Sequence, residues 1–447
     1  AGNYRPVSIL SIVSKILERV VYDQVENYFN QKSIIYELQS GFRNSYSTDT
    51  CLIHLTDHIR KEMDKGHYTG MVMLDLQKAF DTVDHNILLM KLKAMGMDPG
   101  SVQWFQSYLS GRSQLVEVNG VFSKPASITC GVPQGSILGP LLFLAYVNDM
   151  SDAVNCKLLL YADDSALMVS HKNVDYIQEN LGKELENVSN WLIDNKLSLH
   201  LGKTESILFG TKRKLRKNSN LNITCNGTKI TSTTSVKYLG VDLDQCLNGE
   251  VIGKKVLQKV HARLKFLYRN SKCLNMYTKK LLVSALIQCH FDYACSAWYS
   301  GLTSKTKHRL QTAQNKLIRF VLDFHYRSHI GFEEFKAVNW LPVKFRVNQI
   351  KLNHMHKIMN EKCPSYMNEG IVRSNSLHGY NTRNSEFSFS VPSLGTNGQK
   401  TFLYTGIKQW NSLPKIIQKQ NNTADFKGRV KTFLFNLMRE QESSSFI

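Results

Sequence analysis

No two cysteines in this chain are spaced as CxxC, no histidines complete a zinc-finger pattern, and no apolar run is long enough to cross a membrane. Each absence excludes something. The nine cysteines (51, 130, 156, 225, 246, 273, 289, 295 and 363) are scattered, which predicts free thiols in a reducing compartment rather than a disulfide framework. Cys289-His290 with Cys295, or His354 with His356, offers two or three zinc ligands without a fourth at the required spacing, so scattered core residues are expected there. The best apolar run, SILGPLLFLAYV (136–147), is short and contains Pro140, so neither a signal peptide nor a membrane span is expected. No internal repeat of fixed period is visible. Acidic residues are scarce in the second half: residues 1–210 hold 18 Lys+Arg against 23 Asp+Glu, net −5, and residues 211–447 hold 38 against 13, net +25. That excess predicts a polyanionic partner, nucleic acid or an acidic membrane surface.

At 447 residues the chain exceeds the size of a single core, and about two or three subdomains are expected. It opens on AGNYRP, without Met and inside a motif, as a piece of a longer protein would. Apolar spacing in SIVSKILERVVYDQVENYF (11–29), at Ile12, Ile16, Val20 and Tyr22, predicts a helix. Further helices are expected over 49–66, 84–96, 101–111 and 173–197, and after the glycine turn of GSILGPLLFLAYVNDM. MVMLDL (71–76) and SILFG (206–210) read as strands, and Asn119-Gly120 as the turn of a hairpin. TKRKLRKNSN (211–220) reads as a solvated basic loop and VKYLGVDLD (236–244) as strand. Residues 251–300, 305–324, 343–360 and 424–440 read as helix, with an irregular stretch near 373–400. Leu264, Phe266 and Leu267 are expected to form a core stripe.

One stretch carries chemistry. KLLLYADDSALMVS (157–170) places two adjacent carboxylates between apolar runs, the pattern of strand, tight turn, strand. The apolar residues would anchor a hairpin in a sheet while Asp163 and Asp164 stand at its tip. A third carboxylate, Asp75, ends the buried strand of MVMLDLQKAFD. If the two strands are neighbours, like charges converge, an arrangement that is costly without a cation between them. Oxygen-only ligands suit Mg²⁺, and two such ions roughly 3.5–4 Å apart activate an attacking oxygen and stabilise a leaving one. An isolated Asp-Asp is usually only a turn pair. Here it follows LDLQKAFD and GVPQGSILGPLL (131–142) in order.

In these blocks the chain resembles the reverse transcriptases of non-LTR (LINE-type, Jockey-like) retrotransposons. The blocks are NYRPVSILSIVSKILERV (3–20), LQSGFRNSYSTDTCL (38–52), MVMLDLQKAFDTVDHNILLMKL (71–92), GVPQGSILGPLLFLAYVNDM (131–150), YADD (161–164), WLIDNKLSLHLGKTESILFG (191–210) and VKYLGVDLD (236–244). Weaker resemblance continues in HFDYACSAWYSG (290–301) and VNWLPVKFRV (338–347).

The resemblance implies an α+β fold of the right-hand polymerase class, with an antiparallel palm sheet, a helical thumb and a mainly helical C-terminal region. Its divisions are fingers over 1–69, N-terminally incomplete, palm over 70–240 within a reverse transcriptase domain of 1–244, thumb over 241–330, and a nucleic-acid-binding region over 331–447. It implies Asp75 and Asp163 as metal ligands, with the Leu76 carbonyl a further oxygen and Asp164 the third aspartate. Phe80 matches the residue that crowds the sugar 2′ position, although a Phe after a strand is equally a core residue. Gln134 matches a contact to the incoming nucleotide, in a turn whose Gly135 allows close backbone approach. Arg5 matches a triphosphate-binding arginine, Arg43 a template-channel residue, and Lys203 a lysine near the leaving pyrophosphate. Each of these three fits a plain surface residue as well. Tyr238, Leu239 and Gly240 match the primer grip.

The implied activity is RNA-directed DNA synthesis with two Mg²⁺ ions, Mn²⁺ being an alternative, on an RNA template, a DNA primer and dNTPs. Element RNA in a ribonucleoprotein, in the nucleus or cytoplasm, and no membrane partner follow from resemblance alone. The rivals are another palm polymerase, such as a viral RNA-directed RNA polymerase or an intron maturase, and a decayed or domesticated copy that binds RNA without polymerising. No catalytic block of the family's endonuclease occurs in the chain.

Overall fold

The computed structural model describes residues 7–374 and 387–444, with side chains described to residue 442. Internal contacts divide the chain into two compact units whose segments alternate in sequence. The first comprises residues up to Tyr46, Thr69–Leu208 and Asn220–Thr233, and the second Ser47–Tyr68, Phe209–Ser219 and the remainder from Thr234.

The first unit is built on a five-stranded sheet. Its order is Thr231–Ser232, Glu205–Phe209, β1 (Tyr68–Leu74), Asp164–His171 and Lys157–Tyr161. The last two strands form an antiparallel hairpin from Lys157↔Met168 to Tyr161↔Asp164. Leu158, Leu160, Ala166 and Leu167 have no exposed surface, and neither do Ile177, Leu181, Leu185 and Val188 of α6 (Val174–Asp194). That apolar stripe, at helical spacing, covers the sheet. The amphipathic period was legible and the hairpin lies where the turn predicts it.

The N-terminal helix α1 (Ile12–Gln31) forms as expected, capped by Ser11, but it turns a different face inward. Ile12, Ile16 and Val20 are 79%, 63% and 52% exposed, whereas Glu18 is 1% exposed. The buried face consists of Glu18 with Val25 and Phe29, and the Glu18 carboxylate is hydrogen-bonded there.

In the second unit α2 (Thr48–Asp64) is central. Its polar residues Asp57 and Arg60 are buried beside Ile53, Leu55 and Ile59. The Asp57 carboxylate accepts the amides of Phe402 and Leu403 at 2.8 and 2.9 Å, capping the helix Phe402–Asn411. Arg60 donates to the carbonyls of Lys400 and Leu247. The helices Glu250–Arg269, Ser304–Leu322, Val343–Met359 and Thr423–Ser444 complete this unit.

Several details depart from the sequence reading. Residues 236–244 form a hairpin, Ser235–Tyr238 with Val241–Asp244, turned by left-handed Leu239 and Gly240. The loop after 210 contains a helical turn, Lys212–Leu215. Residues 251–300 break after Arg269 into short pieces. In the stripe on the helix Glu250–Arg269, Leu264 and Leu267 are buried but Phe266 is 59% exposed, because a third consecutive-face position points away at helical pitch.

Candidate active site

β1 ends at Leu74, so Asp75 is the first residue past the strand. Thr69 Oγ1 and Ser170 Oγ lie 2.8 Å apart. With the two strands adjacent, a contact between the start of one and the end of the other makes them antiparallel. Following both inward brings Asp75 level with Asp164, so the three aspartates share one end of the sheet. The tip itself is tight: Tyr161 pairs with Asp164, and Ala162 between them adopts φ +57°. Asp75 and Asp163 are half-buried and Asp164 is exposed. Beyond β1 the chain is held by backbone bonds from His200 N to Asp75 O at 2.8 Å and from Gln77 N to Ser198 O at 2.9 Å. Leu76 is 8% exposed within that bridge. The same return places Lys203 Nζ 3.8 Å from Asp75 Oδ2, both side chains solvent-accessible.

Phe80 stacks on Phe143 at 4.4 Å between ring centroids and meets Phe42 edge-on at 6.1 Å. Its carbonyl accepts Val132 N at 2.8 Å, and Val83 O accepts Gly131 N at 2.7 Å, which draws the GVPQGS segment alongside. Gln134 Nε2 donates to Asp81 Oδ1 at 2.9 Å. Gly135 has φ +119°, and a Cβ there would stand 2.6 Å from Ser8 O, so only glycine fits.

Glu18 fixes this segment. Its carboxylate accepts Ile137 N at 2.7 Å, immediately before α5 (Leu138–Val147), together with the hydroxyls of Tyr108 and Ser14. Burial, and then the adjacent Glu18 carboxylate, push the Tyr108 hydroxyl up to about 12, so it stays a donor at any physiological pH. A buried anion at a helix start interacts with the dipole of that helix. Neither Glu18 nor Asp81 was singled out from sequence. The one signal for Asp81 was the second aspartate of DLQKAFD, and Glu18 had none beyond an acidic residue on a helix.

Arg43 donates to the carbonyls of Tyr36 and Gln39, each at 3.0 Å, and stacks on Tyr46 at 4.1 Å. Tyr238, Leu239 and Gly240 belong to the second unit, where Leu239 O accepts the Tyr293 hydroxyl at 2.6 Å and Gly240 faces the same ring. Arg5 lies outside the described residues.

Residues 1–243 match the family model described as reverse transcriptase (RNA-dependent DNA polymerase), over more than half of the chain. The chain belongs to the reverse transcriptase family. Among its relatives is the probable RNA-directed DNA polymerase from transposon BS of Drosophila melanogaster, 29% identical over 72% of this chain and 36% of the relative. Another is the RNA-directed DNA polymerase from mobile element jockey of the same species, 30% identical over 55% of this chain and 27% of the relative. The chain thus spans about a third of the length of these reverse transcriptases. The resemblance to the non-LTR group agrees with these relatives, and the α+β right-hand polymerase fold follows from the family. A solved telomerase from Candida tropicalis, bound to a TWJ fragment of telomeric RNA, matches at 13% identity over 77% of this chain and 54% of that one. Its TM-score of 0.39 is too low to add to the assignment.

Proposed function

We propose that this chain is the polymerase part of a non-LTR retrotransposon protein, and that it extends a DNA primer with dNTPs on an RNA template. The observation that carries this reading is the placement of Asp75, Asp163 and Asp164 at one end of the sheet, with Lys203 Nζ 3.8 Å from Asp75. The primer 3′-oxygen would attack the α-phosphorus in line. A new phosphodiester bond forms as the bond to pyrophosphate breaks, and the hydroxyl proton passes to solvent.

Among the described residues no three His, Cys, Asp or Glu side chains stand together closely enough to hold a metal ion by themselves, so the aspartates would complete a coordination shell only together with water and substrate phosphate. The aspartates supply oxygen alone and keep solvent access, which fits Mg²⁺ or Mn²⁺ sharing a coordination shell with water and phosphate. A pair of such ions, when bound, would ease the charge on the attacking and departing oxygens. Asp75 and Asp163 would hold them, with the Leu76 carbonyl and Asp164 as further oxygens. Lys203, already beside Asp75, supplies positive charge toward the leaving pyrophosphate. Gln134, oriented by Asp81, faces the nucleotide, and Phe80, backed by Phe143, excludes a 2′-hydroxyl. Arg5 would bind triphosphate, and Gly135 and the Tyr238-Leu239-Gly240 turn would guide template and primer. Arg43 reaches the template channel, in this reading, through the loop it braces.

Fingers, palm and thumb divided near residues 69, 240 and 330, a basic C-terminal region on nucleic acid, and an element ribonucleoprotein complete the reading. Primer extension by the purified chain on poly(rA) with an oligo-dT primer tests it. Robust template binding with no extension under any divalent metal would favour the RNA-binding alternative, against which the three retained aspartates argue.

A further inference from the structure

Apart from Arg43, LQSGFR (38–43) has no role in the chemistry above, yet its backbone runs along the outer edge of the aspartate hairpin. Ser40 N donates to Leu160 O at 2.8 Å and Leu160 N to Leu38 O at 3.1 Å, a parallel bridge between Gln39 and Leu160. The Gln39 side chain is 1% exposed. Its Oε1 accepts two amides, Gly41 N at 2.9 Å and Ala162 N at 3.0 Å. Its Nε2 is buried without a hydrogen-bond partner among the described residues, so the oxygen is what the position is built around. Ala162 is the left-handed residue of the turn, 5% exposed, and Asp163 follows it directly. Left to itself a non-glycine residue in that conformation is unfavourable, and its amide inside the protein needs an acceptor. Position 41 adds a steric stop: a Cβ on Gly41 would stand 2.4 Å from Ala162 N and 3.0 Å from the Tyr161 carbonyl carbon.

We infer that Gln39 is a positioning residue: its carboxamide oxygen locks the Ala162 turn and so sets the direction of Asp163. Gly41 closes the same turn from the side. This deepens the polymerase reading and rests on Asp163 serving that site. The role is not catalytic, since Gln39 reaches the aspartate only through backbone.

The test compares Gln39→Met, of similar length but without the oxygen, with Gln39→Glu, which keeps an oxygen in place, in the full chain. Hydrogen exchange read by mass spectrometry on peptides spanning 158–166 should show Ala162 exchanging about tenfold faster in Gln39→Met. Protection of β1 and of the strand Glu205–Phe209 should be unchanged, and protection at Ala162 retained in Gln39→Glu. The Mg²⁺ concentration for half-maximal primer extension should rise several-fold in the Met variant. If Gln39→Met does not fold, Gly41→Ala perturbs the same turn and should give the same localised loss of protection. Unchanged exchange at Ala162 in Gln39→Met, or in Gly41→Ala where the Met variant does not fold, overturns the inference, as does equal loss in the Met and Glu variants. Asp163→Asn separates the two readings. If that variant still extends primers, the active-site reading fails whatever the exchange data say. If it is inactive and exchange at Ala162 is unaltered, only the role of Gln39 falls.

Discussion

The Glu18 carboxylate accepts the backbone amide of Ile137, 119 residues away in sequence. The bond joins the first helix to the start of α5, so the segment bearing Gln134 is anchored from outside itself. Glu18→Leu removes a buried acceptor from three donors and should destabilise the chain by about 2–4 kcal/mol. Glu18→Gln, which keeps one oxygen, should lose less than half as much. Chemical denaturation of the two variants measures the difference.

Asp75→Ala and Asp163→Ala should each reduce primer extension to background, because the oxygen donor set is too small to spare a member. Asp164→Asn should be milder, in keeping with its exposure. Circular dichroism and thermal unfolding should match wild type, since all three groups reach solvent. Near-normal extension by either Ala variant would remove Asp75 and Asp163 from the site.

Phe80→Val should admit ribonucleotides while deoxynucleotide incorporation falls only modestly. The stack on Phe143 adds a structural consequence: loss of the ring should also lower stability by about 1–2 kcal/mol. Single-nucleotide incorporation with rNTP and dNTP, read beside thermal unfolding, distinguishes the outcomes. A stability loss with unchanged sugar discrimination would make Phe80 a core residue alone.

Lys254, Lys255, Lys259, Arg263 and Lys265 are exposed on one helix of the second unit; of these, Lys255 bonds Asp242 at 2.6 Å and Arg263 donates to the Leu286 carbonyl. Neutralising Lys254, Lys259 and Lys265 should weaken template-primer binding and flatten its salt dependence by roughly 0.7–0.9 in log–log slope per lost phosphate contact. Lys255→Gln should instead cost stability, because it leaves the buried Asp242 carboxylate without its ion-pair partner. Fluorescence anisotropy across a salt series checks the first statement. Identical slopes in wild type and variant would assign this charge to solubility.

Lys351 is fully enclosed, with Ser300 Oγ at 2.7 Å and Thr405 Oγ1 at 2.8 Å, and burial lowers its ammonium from 10.5 to about 8. Between those values the unfolded chain holds a proton that the folded chain has released, so the Lys351 contribution to stability rises with pH over about 8–10.5. Below that window the buried charge is a standing cost. Lys351→Met should therefore be more stable than wild type near pH 7, by about 1–3 kcal/mol, and the advantage should shrink as pH rises through the window. Urea denaturation at stepped pH would show it, and a constant difference would refute it.

What the sequence revealed is what neighbouring residues impose. Leu158 to Leu160 and Ala166 to Met168 flank Asp163 and Asp164, and that local contrast made the hairpin and its tip readable. The α6 stripe was readable for the same reason, since its burial repeats at the helical period. The inward face of α1 was not, because the partner of Glu18 is an amide far along the chain and carries no side-chain signature. Gln39 was hidden in the same way: it acts on the backbone of Ala162, which every residue possesses. The helix Phe402–Asn411 went unread beside an irregular stretch although it carries local signals, a Thr401 cap and a buried stripe of Phe402, Leu403, Ile407 and Trp410; the distant Asp57 carboxylate adds a second cap that no local pattern announces.

The bond from Asp57 to Phe402 spans 345 residues, and that span has a meaning in time. At about 5–20 residues per second, α2 leaves the ribosome roughly 20–70 s before the amides that satisfy its buried carboxylate exist. The Arg60 guanidinium waits similarly for Lys400 O. Throughout that interval a helix with an apolar face and two inward-turning charges has no finished home, which invites chaperone capture. A polypeptide ended at residue 243, where the family match stops, would carry that unfinished state permanently and should be recovered largely as aggregate.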